Sequence, residues 1–464
     1  MGIWVRERSF YSMFIRLTVL IGLQNIITLG VNLSDNLLLG GYSESALSGV
    51  ALANQIQFIL HMLVMGAAEG LVILSSRNWG AKNIDAIKRA SSIGMRIALA
   101  VSVIMWAVVF FFPHGCLSLF TNEQNVIAEG AKYLKIICFS YIFFAVTNIL
   151  LAALRSVEVV RIGFLVSLST LIINVCLNYL LIYGYLGFPR LGVSGSAIAT
   201  LTARVIECVI VLTFVKKFDQ RIRFRLKDFY SIDKSLFKQY LRIGSPVLMA
   251  NLLWAVSMGA QTAILGHMGE AAIAANSVAN TIFQLVTVVT YASASATAVI
   301  IGKTIGEGNT EKVISYSKTL QLLYLIIGVL TAVLLFAVKD VVLDLYAISE
   351  SSKTLALQFM TILSVTVVGT AYQMPALTGI VRSGGDTKFV LYNDFIFMWL
   401  IVLPASALCA FVFDLSPVIT FMCLKCDQIL KCFVAIVKVN RYRWIRVFDE
   451  RGGKPQDAGG NVAT

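Results

Sequence analysis

Charge is scarce in this chain. Of its 464 residues 14% are Asp, Glu, Lys or Arg and 58% are hydrophobic, and the mean hydropathy is +0.81. A soluble protein of this length needs far more charge to cover its surface, so a soluble globular fold is excluded. Ten-residue apolar–polar alternation is also missing. That excludes a transmembrane β-barrel and leaves helices as the way to satisfy the backbone in lipid. Histidine is limited to His61, His114 and His267, all remote from the cysteine pair of "CLKC", Cys423 and Cys426. A thioredoxin-type site needs a βαβ setting and zinc needs more ligands, so no metal or redox centre is expected there. The eight cysteines read as small packing residues. "GKT" at 302–304 lacks the earlier glycine of a phosphate-binding loop, which is Thr297 here, and nothing points to ATP. No HExxH helix and no clustered nucleophile and base occur, so the chain is read as a non-enzyme without a cofactor.

What is present is a succession of apolar runs, each long enough to cross a bilayer as a helix. Twelve are expected, at 12–40, 50–75, 92–113, 126–154, 160–184, 193–216, 240–266, 273–301, 317–338, 352–380, 388–411 and 415–437. The first follows the basic "MGIWVRER" but is too long for a signal peptide and has no small-residue cleavage site, so it reads as a retained span. The net charge of +13 does not imply nucleic acid, because Lys and Arg mark cytoplasmic loops in a membrane protein. Sorted by loop, thirty of the 38 basic residues fall at the N-terminus, after even-numbered spans, or in the tail. Five fall on the other side (Lys132, Lys135, Arg190, Lys339, Lys353), and Arg204, Lys425 and Lys431 lie within spans. The asymmetry places both termini in the cytoplasm of a multi-pass plasma-membrane protein.

The longest hydrophilic connection, "KKFDQRIRFRLKDFYSIDKSLFKQY", separates six spans from six and should lie along the anionic inner leaflet. The expected organisation is an N-terminal six-helix lobe at 1–217, a basic linker at 218–239, a C-terminal six-helix lobe at 240–437, and a tail at 438–464. The tail begins basic and ends in the disordered-looking "RGGKPQDAGGNVAT". The halves are also alike. At an offset of 226, Gly40, Glu44, Ala53, Asn54 and Ile56 match Gly266, Glu270, Ala279, Asn280 and Ile282, and Gly80 and Asn83 match Gly306 and Asn309. At 227, Arg155, Ser156 and Arg161 fall on Arg382, Ser383 and Lys388. An even number of spans per repeat makes the repeats parallel, an architecture suited to alternating access.

Polar residues inside the spans are the candidates for chemistry. Asp35 lies deep in the first span, where an ionised carboxylate costs about 2.5–3.5 kcal/mol and must face water or a partner. It is either a titrating site or a structural acid paired with an arginine. Its repeat partner is the neutral Gln261. Asn174 and Asn178 are one turn apart on one face. They either supply neutral oxygens to a cation site or bond neighbouring helices. The spacings of Arg204 with Glu207 and of Asp427 with Lys431 allow ion pairs within a helix. Glu69 and Asp394 are secondary proton-site candidates.

"SDNLLLGGYSESALSGVALANQI", "LIINVCLNYLLIYG", "LGVSGSAIAT" and "GIVRSGGDTKF" resemble the multidrug and toxic compound extrusion transporters, over residues 12 to 446. The resemblance implies an all-α, twelve-helix, two-lobe antiporter that exports drug-like, often cationic, organic molecules in exchange for Na+ or H+. It implies a cation site at Asp35, Asn174, Asn178 and Thr200, with Na+ as the one metal ion in question. Three positions depart from the family: Asn178 stands where some members have a second Asp, a C-lobe Glu is missing near Asn251, and Leu20 replaces a common first-span proline. Lipid-linked precursor flippases of the same superfamily are the rival, but their cavities call for several arginines and Arg204 is the only one well inside these spans. The major-facilitator loop pattern is absent from "SSRNWGAKNIDAIKR". The expected partners are membrane lipid and neutral or cationic organic molecules. These would meet an apolar surface including Asn251, Trp254, Gln261, Asn280, Tyr372 and Gln373, where an aromatic face such as Trp254 can hold a cation.

Overall fold

A computed structural model describes residues 4–229, 233–343, 349–447 and 456–457. The chain is built of helices: α1 (Arg8–Gly40), α2 (Glu44–Gly80), α3 (Ile84–Phe111), the short α4 (Pro113–Ser118), α5 (Gln124–Ile137), α6 (Ser140–Ser156), α7 (Arg161–Tyr183) and α8 (Val193–Lys217). They continue with α9 (Lys234–Gly266), α10 (Glu270–Gly306), α11 (Thr310–Leu343), α12 (Glu350–Met374), α13 (Thr387–Phe395), α14 (Leu403–Ala407), α15 (Pro417–Lys425) and α16 (Asp427–Asn440). Among the described residues the one strand pairing is two residues long, Arg446–Val447 with Gln456–Asp457. Apart from Gln456–Asp457, the stretch expected to be disordered, 451–464, lies outside the described residues.

The large side chains left exposed identify the solvent. On α11 they include Leu330, Val333, Leu334, Phe336 and Val341, each more than half exposed. An apolar face of this length is stable in lipid and not in water. Ten helices of the described residues are long and apolar enough to cross a bilayer, and the pair α5 and α6, bent by 53°, makes an eleventh if it counts as one span. This pair is the expected fourth span. At the bend the bonding tightens to three-residue steps, Phe139 N to Ile136 O and Tyr141 N to Cys138 O, the usual signature of a local change in helix geometry.

The segment expected as the twelfth span is not one continuous helix. It is two helices, α15 and α16, of 9 and 14 residues, which part at Cys426. Lys425, Asp427 and Lys431 crowd the break, and neither helix alone is long enough to cross a bilayer. Prolines reshape two others. Pro375 and Pro404 lack an N–H donor, and wider π-turns occur at Pro375–Val381, Ile396–Val402 and Leu408–Val412.

The duplication read from sequence has a structural counterpart. Both α1 and α9 are 33 residues long, and both α2 and α10 are 37. Their first residues, Arg8 and Lys234 or Glu44 and Glu270, keep the 226-residue offset. The matched asparagines also do the same work. Asn83 Oδ1 accepts from Ala86 N at 3.1 Å and Asn309 Oδ1 from Lys312 N at 3.0 Å, each satisfying a free donor at a helix start.

Two compact units divide the chain, Leu23–Asn251 and Met1–Gly22 with Leu252–Thr464. The divisions fall inside α1 and α9 rather than in the 218–239 linker. A 33-residue helix is about 50 Å long, more than a bilayer core, so its two halves have room to pack with different neighbours. In the first unit, the start of α9 lies on α2. Tyr240 Oη donates to Ala67 O at 2.5 Å, and Gly70 meets Gly244 so closely that a Cβ there would be 3.0 Å from the facing Cα. The linker is tied to α3: Arg96 and Ser92 donate to Phe229 O at 2.9 and 2.8 Å, and Arg89 pairs with Asp233 at 3.1 Å. In the second unit a core of Leu265, Val278, Leu363, Phe359 and Phe421 is organised around the stacked pair Phe359–Phe421, with centroids 4.0 Å apart.

Close helix approach through small residues gives the first prediction. A Cβ at Gly49 would sit 2.7 Å from Gly130 N and 2.8 Å from Val126 O, both backbone atoms that cannot swing away. Gly49→Ala is expected to destabilise the protein by about 1–3 kcal/mol. Gly259→Ala, with nothing within 4 Å of the new methyl, should be neutral or gain up to about 1 kcal/mol. Thermal melts of the two purified variants check this, and equal melting temperatures would refute the packing argument.

Candidate functional site

Asp35 sits five residues before the end of α1, with 8% of its surface exposed. Asn174 and Asn178, both at 0%, project from one face of α7. Asn178 Nδ2 donates to Asp35 Oδ1 at 2.5 Å and to Asn174 Oδ1 at 3.0 Å. Asn174 Nδ2 in turn donates to Thr200 Oγ1 on α8 at 3.1 Å. The four residues named for this site thus form one chain of hydrogen bonds across three helices.

Two features set the electrostatics. Among the described residues no Lys, Arg or His forms an ion pair with Asp35. The nearest arginine on α8, Arg204, is engaged by Glu207 at 2.7 Å and lies over the Phe144 ring at 5.2 Å. The structural reading of Asp35, as an acid salt-bridged to an arginine, therefore finds no ion pair, although Arg204 lines the same cavity. Second, Asn178 Oδ1 is buried and meets no donor among the described residues. An unmet carbonyl oxygen beside a carboxylate is what an oxygen-seeking cation can satisfy, and the donor set is hard oxygen throughout.

Asp35 borders a cavity of about 30 Å³ whose lining includes Asn54, Gln57, His61, Tyr133, Ser140, Thr200 and Arg204. That is room for one or two waters or a bare ion, and too little for an organic molecule. The bend between α5 and α6 matters here, because it brings Tyr133 from one side of the break and Ser140 from the other to the same cavity. Gln57 and Tyr133 were missed by the sequence reading. A signal existed for Gln57: Asn54, Gln57 and His61 recur at helical spacing along one stripe of α2. Tyr133 had none.

The residues proposed for an organic substrate do not all gather. Gln261 and Asn280 share a second cavity of about 20 Å³ with Asn276 and Lys425. Asn251 belongs to the other unit, where its amide donates to Glu69 Oε2 at 3.3 Å. Trp254 is half-buried. Tyr372 donates to Gln321 Oε1 at 2.7 Å, and Gln373 and Thr370 donate to Gln428 Oε1 at 3.0 and 3.1 Å. Asp394 pairs with Lys431 at 3.0 Å, which also holds Asp427 at 3.1 Å. Both intrahelical pairs expected from spacing are formed, and Asp394 is already compensated.

A multi-pass helical protein that holds the buried carboxylate of Asp35 against amide groups in an apolar helix, with no ion-pair partner among the described residues, has the make-up of a membrane transporter. Residues 21–180 and 246–408 match the MatE family, and the chain belongs to that family of multidrug and toxic compound extrusion transporters, whose members are not enzymes. It is 25% identical over 431 residues to a probable multidrug resistance protein NorM of Thermotoga maritima, covering 91% of this chain and 90% of that one. It is 24% identical over 380 residues to the uncharacterized transporter YisQ of Bacillus subtilis, covering 81% and 82%. Its fold is similar to a transporter of the MOP superfamily from Pyrococcus furiosus, with a TM-score of 0.84 at 18% identity over 92% of this chain and 94% of that one.

Proposed function

We propose that the chain is a secondary antiporter exporting drug-like organic molecules, neutral or cationic, in exchange for Na+ or H+. The observation that carries this reading is Asp35: a buried carboxylate with no basic partner, bonded to Asn178. Ionised, it carries a cost that only water or a cation relieves. Neutralised, it lets its unit close. A ligand that binds one facing better than the other shifts the populations of the two, which is all that coupling requires. The unmet Asn178 Oδ1 can be satisfied by either ion, by coordinating Na+ or, with its amide turned over, by accepting from a protonated Asp35. The relatives described as probable multidrug resistance proteins support an organic cargo. The flippase reading has less to rest on, because Arg204 is held by Glu207.

With this goes an arrangement of twelve spans in two six-helix lobes in the plasma membrane, both termini cytoplasmic, α15 and α16 together forming the last crossing. A cysteine at the exposed Phe188, in the turn after α7, is expected to react with an impermeant maleimide in intact cells, in a background lacking the exposed Cys176. Labelling only after lysis would invert the orientation. The transport reading is tested by counterflow in proteoliposomes with Na+ and pH gradients imposed separately. Efflux of an organic cation should follow one of them, and indifference to both would sink the antiporter.

A further inference from the structure

The second cavity repeats the place of the first with a changed charge. Gln261 and Asn280, which line it, stand 226 positions after Asp35 and Asn54, which line the other. Where the first cavity has the Asp35 carboxylate together with the Arg204 guanidinium, itself paired with Glu207, the second has an amide and an ammonium and no carboxylate in its lining. Lys425 Nζ lies 3.5 Å from Gln261 Oε1 and 5.4 Å from the centroid of the Phe421 ring. Among the described residues no carboxylate pairs with it. Asp427, two positions on, is engaged by Lys431 at 3.1 Å and by Gln428 at 3.0 Å.

A plainer role for Lys425 exists. It is the last residue of α15, where the helix dipole favours a cation. That role needs only the position, and a lysine serving it would extend its stem toward water or headgroups. Lys425 instead turns inward onto an amide oxygen and a ring face. One long contact leaves an ammonium with three donors far from satisfied. Asn280, on the same lining, turns its Nδ2 to Asn276 Oδ1 at 2.9 Å, and among the described residues no bond joins its oxygen to Lys425. The space beside these groups, about 20 Å³, admits one water-sized atom. It fits the terminal oxygen of a larger molecule, not the molecule itself.

We propose that this cavity receives the carboxylate of an anionic or zwitterionic organic substrate, with Lys425 as its counter-charge. This rests on the transporter reading and adds to it a residue that selects for a carboxylate on the substrate. Inorganic anions share the chemistry, so the test separates them. Rhodamine 110 carries a free carboxylate and rhodamine 123 is its methyl ester, so the pair differs only at that group. Binding of each to the full-length protein in nanodiscs is followed by fluorescence polarisation. Lys425→Gln is expected to weaken rhodamine 110 by about tenfold, the size of one charge-assisted hydrogen bond, and rhodamine 123 by less than about twofold. Equal weakening of both dyes, or of neither, would overturn the proposal. So would displacement of rhodamine 110 from the wild type by low-millimolar chloride, which would make the charge an inorganic anion's. Should the variant not fold, the wild-type protein decides: rhodamine 110 must bind more tightly than its ester, and the reverse order refutes the site. Binding needs no gradient, so this result stands apart from gradient-driven efflux, which can fail or succeed on its own.

Discussion

Asp35→Asn is expected to fold, to bind an organic cation as the wild type does, and to lose gradient-driven efflux. The substitution keeps the shape of the side chain and leaves Asn178 Nδ2 an oxygen to bond, so the chain of hydrogen bonds through Asn174 and Thr200 has every member it had before. It also removes a buried charge with no basic partner among the described residues, so stability should be unchanged or higher. What disappears is the group whose charge can be cancelled and restored. One cation moving down 100 mV supplies about 2.3 kcal/mol, enough to hold a ratio of about fifty for a neutral substrate if fully coupled. One-for-one exchange against an organic cation is electroneutral and is driven by the ion's concentration gradient alone. In proteoliposomes the variant's steady-state ratio should fall to about one whichever gradient is imposed. Wild-type efflux with normal gradient dependence would make Asp35 structural and move the coupling elsewhere. A companion, Asn178→Asp, places a second acid beside the first and is expected to raise the dependence on the coupling ion, seen as a steeper response to Na+ or pH.

Lys431→Met should be among the most destabilising single changes in the chain. Lys431 is nearly inaccessible, and it holds Asp394 at 3.0 Å and Asp427 at 3.1 Å; Asp427 is 1% exposed. Removing Lys431 leaves two carboxylates without the cation that bonds them both. Loss of a buried partner costs about 3–5 kcal/mol, most of it the burial of what remains. The effect should be read as a lower melting temperature and loss of monodispersity in detergent. Asp427→Asn in the same background should recover a large part of it, because the stranded charge is then gone. Non-additivity of this kind separates an electrostatic loss from a packing defect. If Lys431→Met melts like the wild type, or if the second change worsens it, the triad is not a stabilising unit.

Much of this was written in local patterns. Apolar length decides that a segment spans, because the bilayer is a solvent of fixed thickness and unpaired backbone groups cannot be left in it. The 226-residue repeat survived into helix ends and helix caps, since Asn83 and Asn309 act through atoms three residues away. Spacing also foretold Arg204–Glu207 and Asp427–Lys431, pairs that need only one turn of helix. The site at Asp35 was legible because a carboxylate in an apolar run is costly wherever the helix ends up.

Other features depended on residues distant in sequence. Nothing near Asp35 in the chain said that Arg204 would line the same cavity without forming an ion pair to it, or that Tyr133 would reach it from before a bend at Cys138 and Phe139. The same holds for Asp394, which read as a free acid until α16 brought Lys431 to it, and for Lys425, which the sequence placed in a span without saying which way it would turn. The break at Cys426 and the division of α1 and α9 between two units are of this kind as well. Periodicity reports which face of a helix is apolar. Which polar atoms end up paired, and which are left over to bind something else, depends on how helices hundreds of residues apart are packed, and only the tertiary structure decides that.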